Sequence, residues 1–328
     1  MDYAKLQGKK FLVIGRAGMD IYPSPAGTKT EEATNFFACL GGSSANIAVA
    51  LTKLGCTCAL VTSVSDDAVG RFALNQLDHY GIGRAHVKTV CGESRTSLAV
   101  VESRTEDHQS VIYRNNAADF QMEKADVEKP DYSAYDALIT TGTVLAAQPS
   151  RDACFHAFDL ARNAGLPLIF DVDYRPYSWN SAQEAAETYA RAARYCDMII
   201  GNDDEFGVMA GHYDKGFAFA RKLAVQSEHP EEKRTIIYKM GHKGAITMRG
   251  EAETRTGIYP VTALKPTGAG DSFMGGLIAS LASGYNLHAA VLRGSACAAM
   301  VVTRVGCAPA MPTKAELEDF LANNEEVS

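Results

Sequence analysis

The sequence is short of several things at once. It has no Cys-x-x-Cys, one tryptophan, no surplus of basic residues, and no apolar run near the ~20 residues that a membrane-spanning helix requires. Its eight cysteines are scattered and only Cys56 and Cys58 lie close together, so neither a zinc site nor a disulfide framework has the spacing it needs. They read as free thiols in a reducing cytoplasm, most of them in the core. The formal net charge of −7 gives no basic footprint and argues against a nucleic-acid partner. The opening MDYAKLQGKKFLVIG carries an apolar run too short for a signal peptide, so a cytoplasmic protein with no membrane partner is expected. A Walker A loop, GxxxxGK[ST], is absent. GxGxxG is not met either, because Phe273 stands where the third glycine after Gly268 and Gly270 belongs. P-loop and dinucleotide chemistry both lose their main support.

What remains is a chain of 328 residues, 46% hydrophobic and 22% charged, enough to bury a large core. Short apolar runs at 11–15, 58–64, 137–140, 167–172, 197–201, 235–239 and 245–248 read as strands. Helical windows fall at 44–54, 66–80, 150–164, 182–195, 214–227, 270–283, 287–304 and 313–323. Buried strands alternating with helices predict an α/β fold with a mostly parallel sheet covered on both faces. Ligands of such sheets bind beyond the carboxyl ends of the strands. Two stretches break the rhythm. Residues 16–40 leave the first strand without a helix, and 92–118 read as two strands joined by RTEDHQ. They could pair as a separate sheet and serve as a lid, or form a plain surface hairpin. The tail NNEEVS reads as frayed.

The segment PTGAGDSFMGG (266–276) puts Gly268, Ala269 and Gly270 in front of Asp271 and an apolar helix. Free N–H groups at a helix N-terminus form an anion site. Asp271 beside it is placed to take a proton from an attacking hydroxyl, which suits phosphoryl transfer to an alcohol. The same residues could be no more than a helix cap. GDSF also resembles the motif of GDS-type esterases, with Ser272 as nucleophile, although no Asp-x-x-His follows. Earlier, LGGSSANIAVALTKLG (40–55) opens on Gly41 and Gly42 and offers Asn46 to a hydroxyl; tight helix packing explains it equally well.

A GGxxxN motif (Gly41–Asn46), an NxxE motif (Asn202–Glu205) and a late GAGD (Gly268–Asp271), in this order over essentially the whole chain, resemble the ribokinase family, also called the PfkB carbohydrate kinases. The resemblance implies one three-layer α/β domain spanning 1–328 with a small β lid built from about 16–40 and 92–118. It implies ATP and magnesium, Asp271 as catalytic base, and the amides of Gly268, Ala269 and Gly270 as an anion hole. Asp20, with Gly41, Gly42 and Asn46, would hold sugar hydroxyls. Asn202 and Glu205 would organise magnesium and the phosphates, Glu205 through water, as oxygen donors suit that ion. KMGHKGA, with Lys239, Gly241 and Gly244, matches the turn beside the nucleotide, and the segment with Ala298 and Cys307 the adenine side. Lid hairpins of this family often pair between subunits, which implies a possible homodimer. Where the family often has Asp-Thr before the loop, this chain has Lys265 and Pro266. In many members that aspartate helps to build a monovalent-cation site, so the Lys265 ammonium is expected to replace the cation; the plain alternative is a lysine pointing to solvent.

Arg16, Arg114 and Arg175 fall in candidate acceptor segments, the last two at the lid hairpin and just after a strand. Arginine forks bind carboxylates, so an acidic acceptor is expected. GRAGMDIYP, YRNNAAD, DVDYRPYSW and GCAPAMPT narrow the resemblance to kinases of keto sugar acids, which implies 5-dehydro-2-deoxygluconate of inositol breakdown as acceptor. The alternatives are 2-keto-3-deoxygluconate, a neutral sugar as for fructokinase or ribokinase, and a non-catalytic sugar-binding regulator. His79, His86, His212 and His242 read as surface or turn residues.

Overall fold

In β1 (Lys10–Ile14), Phe11 and Val13 belong to one hydrophobic core and Leu12 and Ile14 to another. Side chains alternate across a strand, so a continuous apolar run can stand only where both faces are covered. The computed structural model describes residues 1–226 and 234–327, and it repeats this pattern across the inner strands of a nine-stranded sheet. The strands are β1, β2 (Gly18–Ser24), β3 (Asn35–Gly41), β4 (Thr57–Ser65), β5 (Gly83–Val90), β6 (Leu98–Val101), β7 (Ser110–Tyr113), β8 (Ala137–Thr141), β9 (Leu168–Asp171), β10 (Met198–Asn202), β11 (Thr235–Lys239), β12 (Ala245–Arg249) and β13 (Ala252–Thr256). The large sheet runs β13-β12-β11-β10-β9-β8-β1-β4-β5, parallel from β11 to β5 with an antiparallel edge at β12 and β13. The second sheet, β3-β2-β6-β7, is built from the two stretches that interrupt the alternation.

The helices are α1 (Ser43–Lys53), α2 (Ala68–His79), α3 (Lys124–Val127), α4 (Ser150–Asn163), α5 (Ala182–Tyr195), α6 (Asp203–Met209), α7 (Gly216–Val225), α8 (Ala269–Ala282), α9 (Leu287–Val302) and α10 (Lys314–Asn323). Residues of α1, α2, α8, α9 and α10 fill one core, and residues of α3 to α7 the other. The outcome is the expected three-layer sandwich with a small β-sheet beside it. Each expected helix forms with its ends moved by two residues at most; residue 227 of the window 214–227 lies outside the described residues. All eight cysteines are free thiols and only Cys91 is exposed, as expected.

Two features depart from expectation. β5 and β13 carry no buried apolar run: both are edge strands with mostly exposed or half-buried residues. The tail is not frayed as far as it is described. Val327 exchanges backbone hydrogen bonds with Ile258 at 2.8 and 2.9 Å, and Glu326 Oε1 accepts from the Gly257 N–H at 2.6 Å; Ser328 lies outside the described residues.

α1 and α8 lie close because Gly275 presents no side chain to Ala50: a Cβ there would fall 2.3 Å from the Ala50 Cβ. Gly275→Ala gains about 1 kcal/mol of helix propensity but overpacks this contact, at a cost of about 1–3 kcal/mol. Urea denaturation is expected to show net destabilisation, with Ala50→Gly suppressing it in the double mutant. Strictly additive effects would count against the close contact.

Candidate active site

Gly268 is the N-cap of α8 with φ +84, a conformation that favours glycine. The helix begins at Ala269, so Ala269, Gly270 and Asp271 form its first turn, whose N–H groups lack partners within the helix. Asp271 is therefore a first-turn residue and not the cap. Its Oδ2 accepts from Asn46 Nδ2 at 2.9 Å. Asn46 is thus engaged with the carboxylate through its amide nitrogen, while its buried Oδ1 has no partner. Ser272 is wholly buried, donates to the Cys297 carbonyl at 2.8 Å and does not line the cavity, which removes the esterase alternative.

The carboxyl ends of the parallel strands supply the surrounding charge, as this sheet architecture predicts. β9 delivers Asp171 and then Asp173 and Arg175; β10 ends at Asn202 and β11 at Lys239. Asp171 and Asp173 are missing from the sequence-derived set. DVDYR is conspicuous for its arginine, while its two acids, spaced by one residue at a strand end, are the signal that points to them. Asp173 Oδ1 pairs with Arg175 Nη2 at 2.7 Å, and its Oδ2 is buried without a partner. Burial pushes Asp173 up, but Arg175, with help from Ser43, Arg16 and Arg114, more than offsets this and holds it below the usual range. Burial pushes Asp171 up, and although Lys239 opposes this, Glu205, Asp173 and Asp271 add to it. Asp271 is raised first by burial and then by the Asp173 charge, against the Asn46 hydrogen bond and the cations Arg175 and Lys239.

One cavity of about 930 Å³ joins these groups. The lid sheet roofs part of it with Ala99, Val101, Ser110 and Ile112. Arg16, Arg114 and Arg175 all face it. Arg16 and Arg114, 8% and 7% exposed, are not surface charges; the Arg175 side chain is 44% exposed while it pairs with the buried Asp173. Arg114 donates to Asp119 and to the Thr143 carbonyl and stacks on Phe120, leaving Nε and Nη1 buried without partners. Arg16 donates to Ser97 Oγ at 3.1 Å. Asp20 on β2 is buried, its Oδ1 unpartnered, and burial raises its pKa against the pull of Arg16. Gly41 does not line the cavity, unlike Gly42. A Cβ on Gly41 would fall 1.9 Å from Asp20 Oδ1, so the glycine makes room for that carboxylate.

Asn202, Glu205, Lys239, Gly241, Gly244 and Ala298 also line the cavity. Cys307, expected on the adenine side, lies instead against the small sheet: it packs with Tyr22, Ala99 and Val101, and its Sγ accepts from the Tyr22 hydroxyl at 3.2 Å. Asn202 and Glu205 cap α6 reciprocally at 2.8 and 2.7 Å, but Glu205 is 7% exposed, so this is no solvated helix start. Its Oε1 also accepts from the Tyr174 N–H at 3.3 Å. A carboxylate oxygen has more than one acceptor site, so Glu205 can still receive from a water in the cavity, which fits a magnesium ion held through water. Lys265 is completely buried and does not reach solvent. Its Nζ donates to the carbonyls of Thr267 at 2.5 Å and Val301 at 3.3 Å, and burial pushes its pKa down.

A helix N-terminus, an aspartate in its first turn, and cations around a cavity at the strand ends form an arrangement suited to phosphoryl transfer to an alcohol. The pfkB family carbohydrate kinase pattern matches residues 9–314, and the chain belongs to that family: it is an ATP-dependent carbohydrate kinase. Two curated relatives are named 5-dehydro-2-deoxygluconokinase. That of Photobacterium profundum is 37% identical, covering 96% of this chain and 95% of its own length. That of Geobacillus kaustophilus is 35% identical, covering 97% and 95%. Among solved structures, the aminoimidazole riboside kinase of Salmonella enterica, complexed with its riboside and an ATP analogue, matches with a TM-score of 0.80 at 26% identity, over 95% of this chain and 99% of that one. A fructokinase double mutant from Vibrio cholerae O395, bound to fructose, ADP and potassium, matches with a TM-score of 0.82 at 25% identity, over 95% and 98%. Use of ATP and a metal ion follows from this kinship. No helix among the described residues is long and apolar enough to cross a membrane.

Titrated without ligand, Asp271 is expected to keep its proton well above the ~4 of an ordinary aspartate. Infrared difference spectra of wild type against Asp271→Asn should show its protonated-carboxyl band persisting above that pH, and Asp173→Asn should move the loss of the band downward. A band lost in the ordinary range contradicts the crowding of charge at this site.

Proposed function

We propose that the protein transfers the γ-phosphoryl group of ATP to the primary hydroxyl of a keto sugar acid, 5-dehydro-2-deoxygluconate, a step of inositol catabolism. The observation that carries the acidic acceptor is the convergence of Arg16, Arg114 and Arg175 on the cavity that also holds Asp271. The names of the curated relatives support the same acceptor. A planar guanidinium with free N–H groups, such as Arg114, is suited to a carboxylate. Asp20, with an unpartnered oxygen at the same end, accepts from an acceptor hydroxyl.

In this reading Asn46 orients Asp271, and Asp271 takes the proton of the hydroxyl as its oxygen forms a bond to the γ-phosphorus. A carboxylate raised toward neutrality is a better proton acceptor than an ordinary one. The amides of the cap residue Gly268 and of Ala269 and Gly270 in the first turn face the charge on the phosphoryl oxygens, where fixed dipoles act without reorganising. Gly241, Gly244 and Ala298 flank the nucleotide, and Gly42 lets the acceptor approach the backbone. Asn202 and Glu205 would hold magnesium through water, and the ion supplies charge neutralisation on the phosphates. The free thiols support a cytoplasmic setting.

The test is ADP release from MgATP with 5-dehydro-2-deoxygluconate, 2-keto-3-deoxygluconate, fructose and ribose in parallel. Turnover is expected on a keto acid. It should fall by about 10²–10⁴-fold in Asp271→Asn. Arg175→Ala should raise the acceptor KM with little change in the ATP KM. Turnover on a neutral sugar alone would overturn the acidic acceptor while leaving the kinase intact.

Lys265 carries a second expectation. Its ammonium bonds to two carbonyls beside the anion loop, and we read it as a tethered replacement for a monovalent cation. The rate should therefore be the same in potassium, sodium and choline chloride, and Lys265→Ala should lose rate and regain part of it with potassium. A strong potassium activation of the wild type refutes this role.

A further inference from the structure

Lys239 is the last residue of β11, and its side chain is only 17% exposed. The ammonium lies over the Phe273 ring, 5.8 Å from the centroid, and lines the cavity. Its ion pair with Asp171 Oδ1 is 4.0 Å long, beyond hydrogen-bond reach, and no hydrogen bond from Nζ to a described protein group accompanies it. It also stands beside the anion loop: Nζ is 3.5 Å from where a Cβ on Gly270 would stand. An ammonium has three donors, and a buried one with none satisfied by protein is costly to maintain without a ligand. The neighbouring carboxylates keep it charged: burial pulls its pKa down, but Asp171, Glu205, Asp271 and Asp173 together outweigh burial and raise it.

We propose that Lys239 is a further catalytic residue, whose ammonium binds the transferred phosphoryl group and its leaving oxygen at the Gly270 amide. Asp171 is the positioning residue that holds the ammonium there. The assignment rests on the transfer reaction proposed above. In that reaction the acceptor oxygen forms a bond to the γ-phosphorus as its proton passes to Asp271. The bond from the γ-phosphorus to the β,γ-bridging oxygen breaks, and its electron pair stays on ADP. Asp271 and Lys239 reach the anion loop from different elements, α8 and β11, so one serves the incoming oxygen and the other the charge that builds on the phosphoryl and leaving groups. Gly270 has no side chain to part the ammonium from the amide. The close approach gives that glycine a purpose beyond turning the chain, since it lies within the helix and not in the left-handed region.

The test compares wild type with Lys239→Met and Lys239→Gln, two variants of similar length, each checked for an unchanged thermal midpoint. Removing a preorganised charge at the reacting group is expected to lower kcat about 10²–10³-fold with acceptor KM nearly unchanged. The readout that does not depend on turnover is calorimetric binding of ADP alone against magnesium ADP with fluoroaluminate, a mimic of the phosphoryl group in flight. Lys239→Met should lose affinity for the fluoroaluminate complex at least tenfold more than for ADP, and Asp171→Asn should show a smaller loss of the same kind. Equal losses for both ligands, or a kcat within threefold of wild type, overturn the assignment. If wild type turns over no acceptor, the transfer reaction fails, but the fluoroaluminate comparison still decides whether Lys239 binds a phosphoryl group.

Discussion

A carboxylate in the first turn of a buried helix, among other carboxylates, is the constraint on which the rest of the site depends. Asp271, Asp173, Asp171 and Glu205 could not share one cavity unpaired, because desolvated like charges raise each other's energy steeply. The chain compensates with groups from several elements. Arg175 is set two residues beyond Asp173, Lys239 comes from the next strand but one, and Asn46 donates from α1. The compensation is incomplete: Asp271 and Asp171 remain raised above the usual range. In the proposed reaction, burial first and the neighbouring Asp173 charge second would make Asp271 a better proton acceptor than an ordinary aspartate.

The architecture serves this arrangement. A parallel sheet brings the ends of β9, β10 and β11 to one rim, so residues distant in sequence become neighbours. Gly275 lets α1 and α8 touch, which sets Asn46 against Asp271. The small sheet, made from two separate insertions, adds Asp20 and covers part of the cavity with Ala99, Val101, Ser110 and Ile112. Lys265, wholly buried, ties the stretch before the anion loop to the end of α9 by two carbonyl bonds.

Much of this was legible in the order of residues. Runs such as FLVI and LIFD are apolar at nearly every position because both sheet faces are covered, and the glycines before Asp271 announce a tight turn into a helix. The edges were not legible. β5 and β13 expose most of their residues, so their hydrogen bonds to a neighbour leave no periodic trace. The tail looked polar and loose, yet it is fixed by backbone bonds to Ile258, which no side-chain pattern encodes. Within the site, Asp171 and Asp173 stand in the shadow of the more conspicuous Arg175. The pairing of Asn46 with Asp271 joins positions 225 residues apart and emerges only from the packing of α1 on α8. Gly41, expected as a substrate contact, instead clears space for Asp20.

The central claim is that one cavity unites a proton acceptor, an anion loop and a carboxylate-binding set of arginines. Phosphorus NMR of the product formed from MgATP and 5-dehydro-2-deoxygluconate tests it most directly. A new phosphomonoester signal coupled to two methylene protons, formed in step with ADP, is the predicted result. Release of inorganic phosphate without any ester, or an ester on a secondary hydroxyl, would contradict the account.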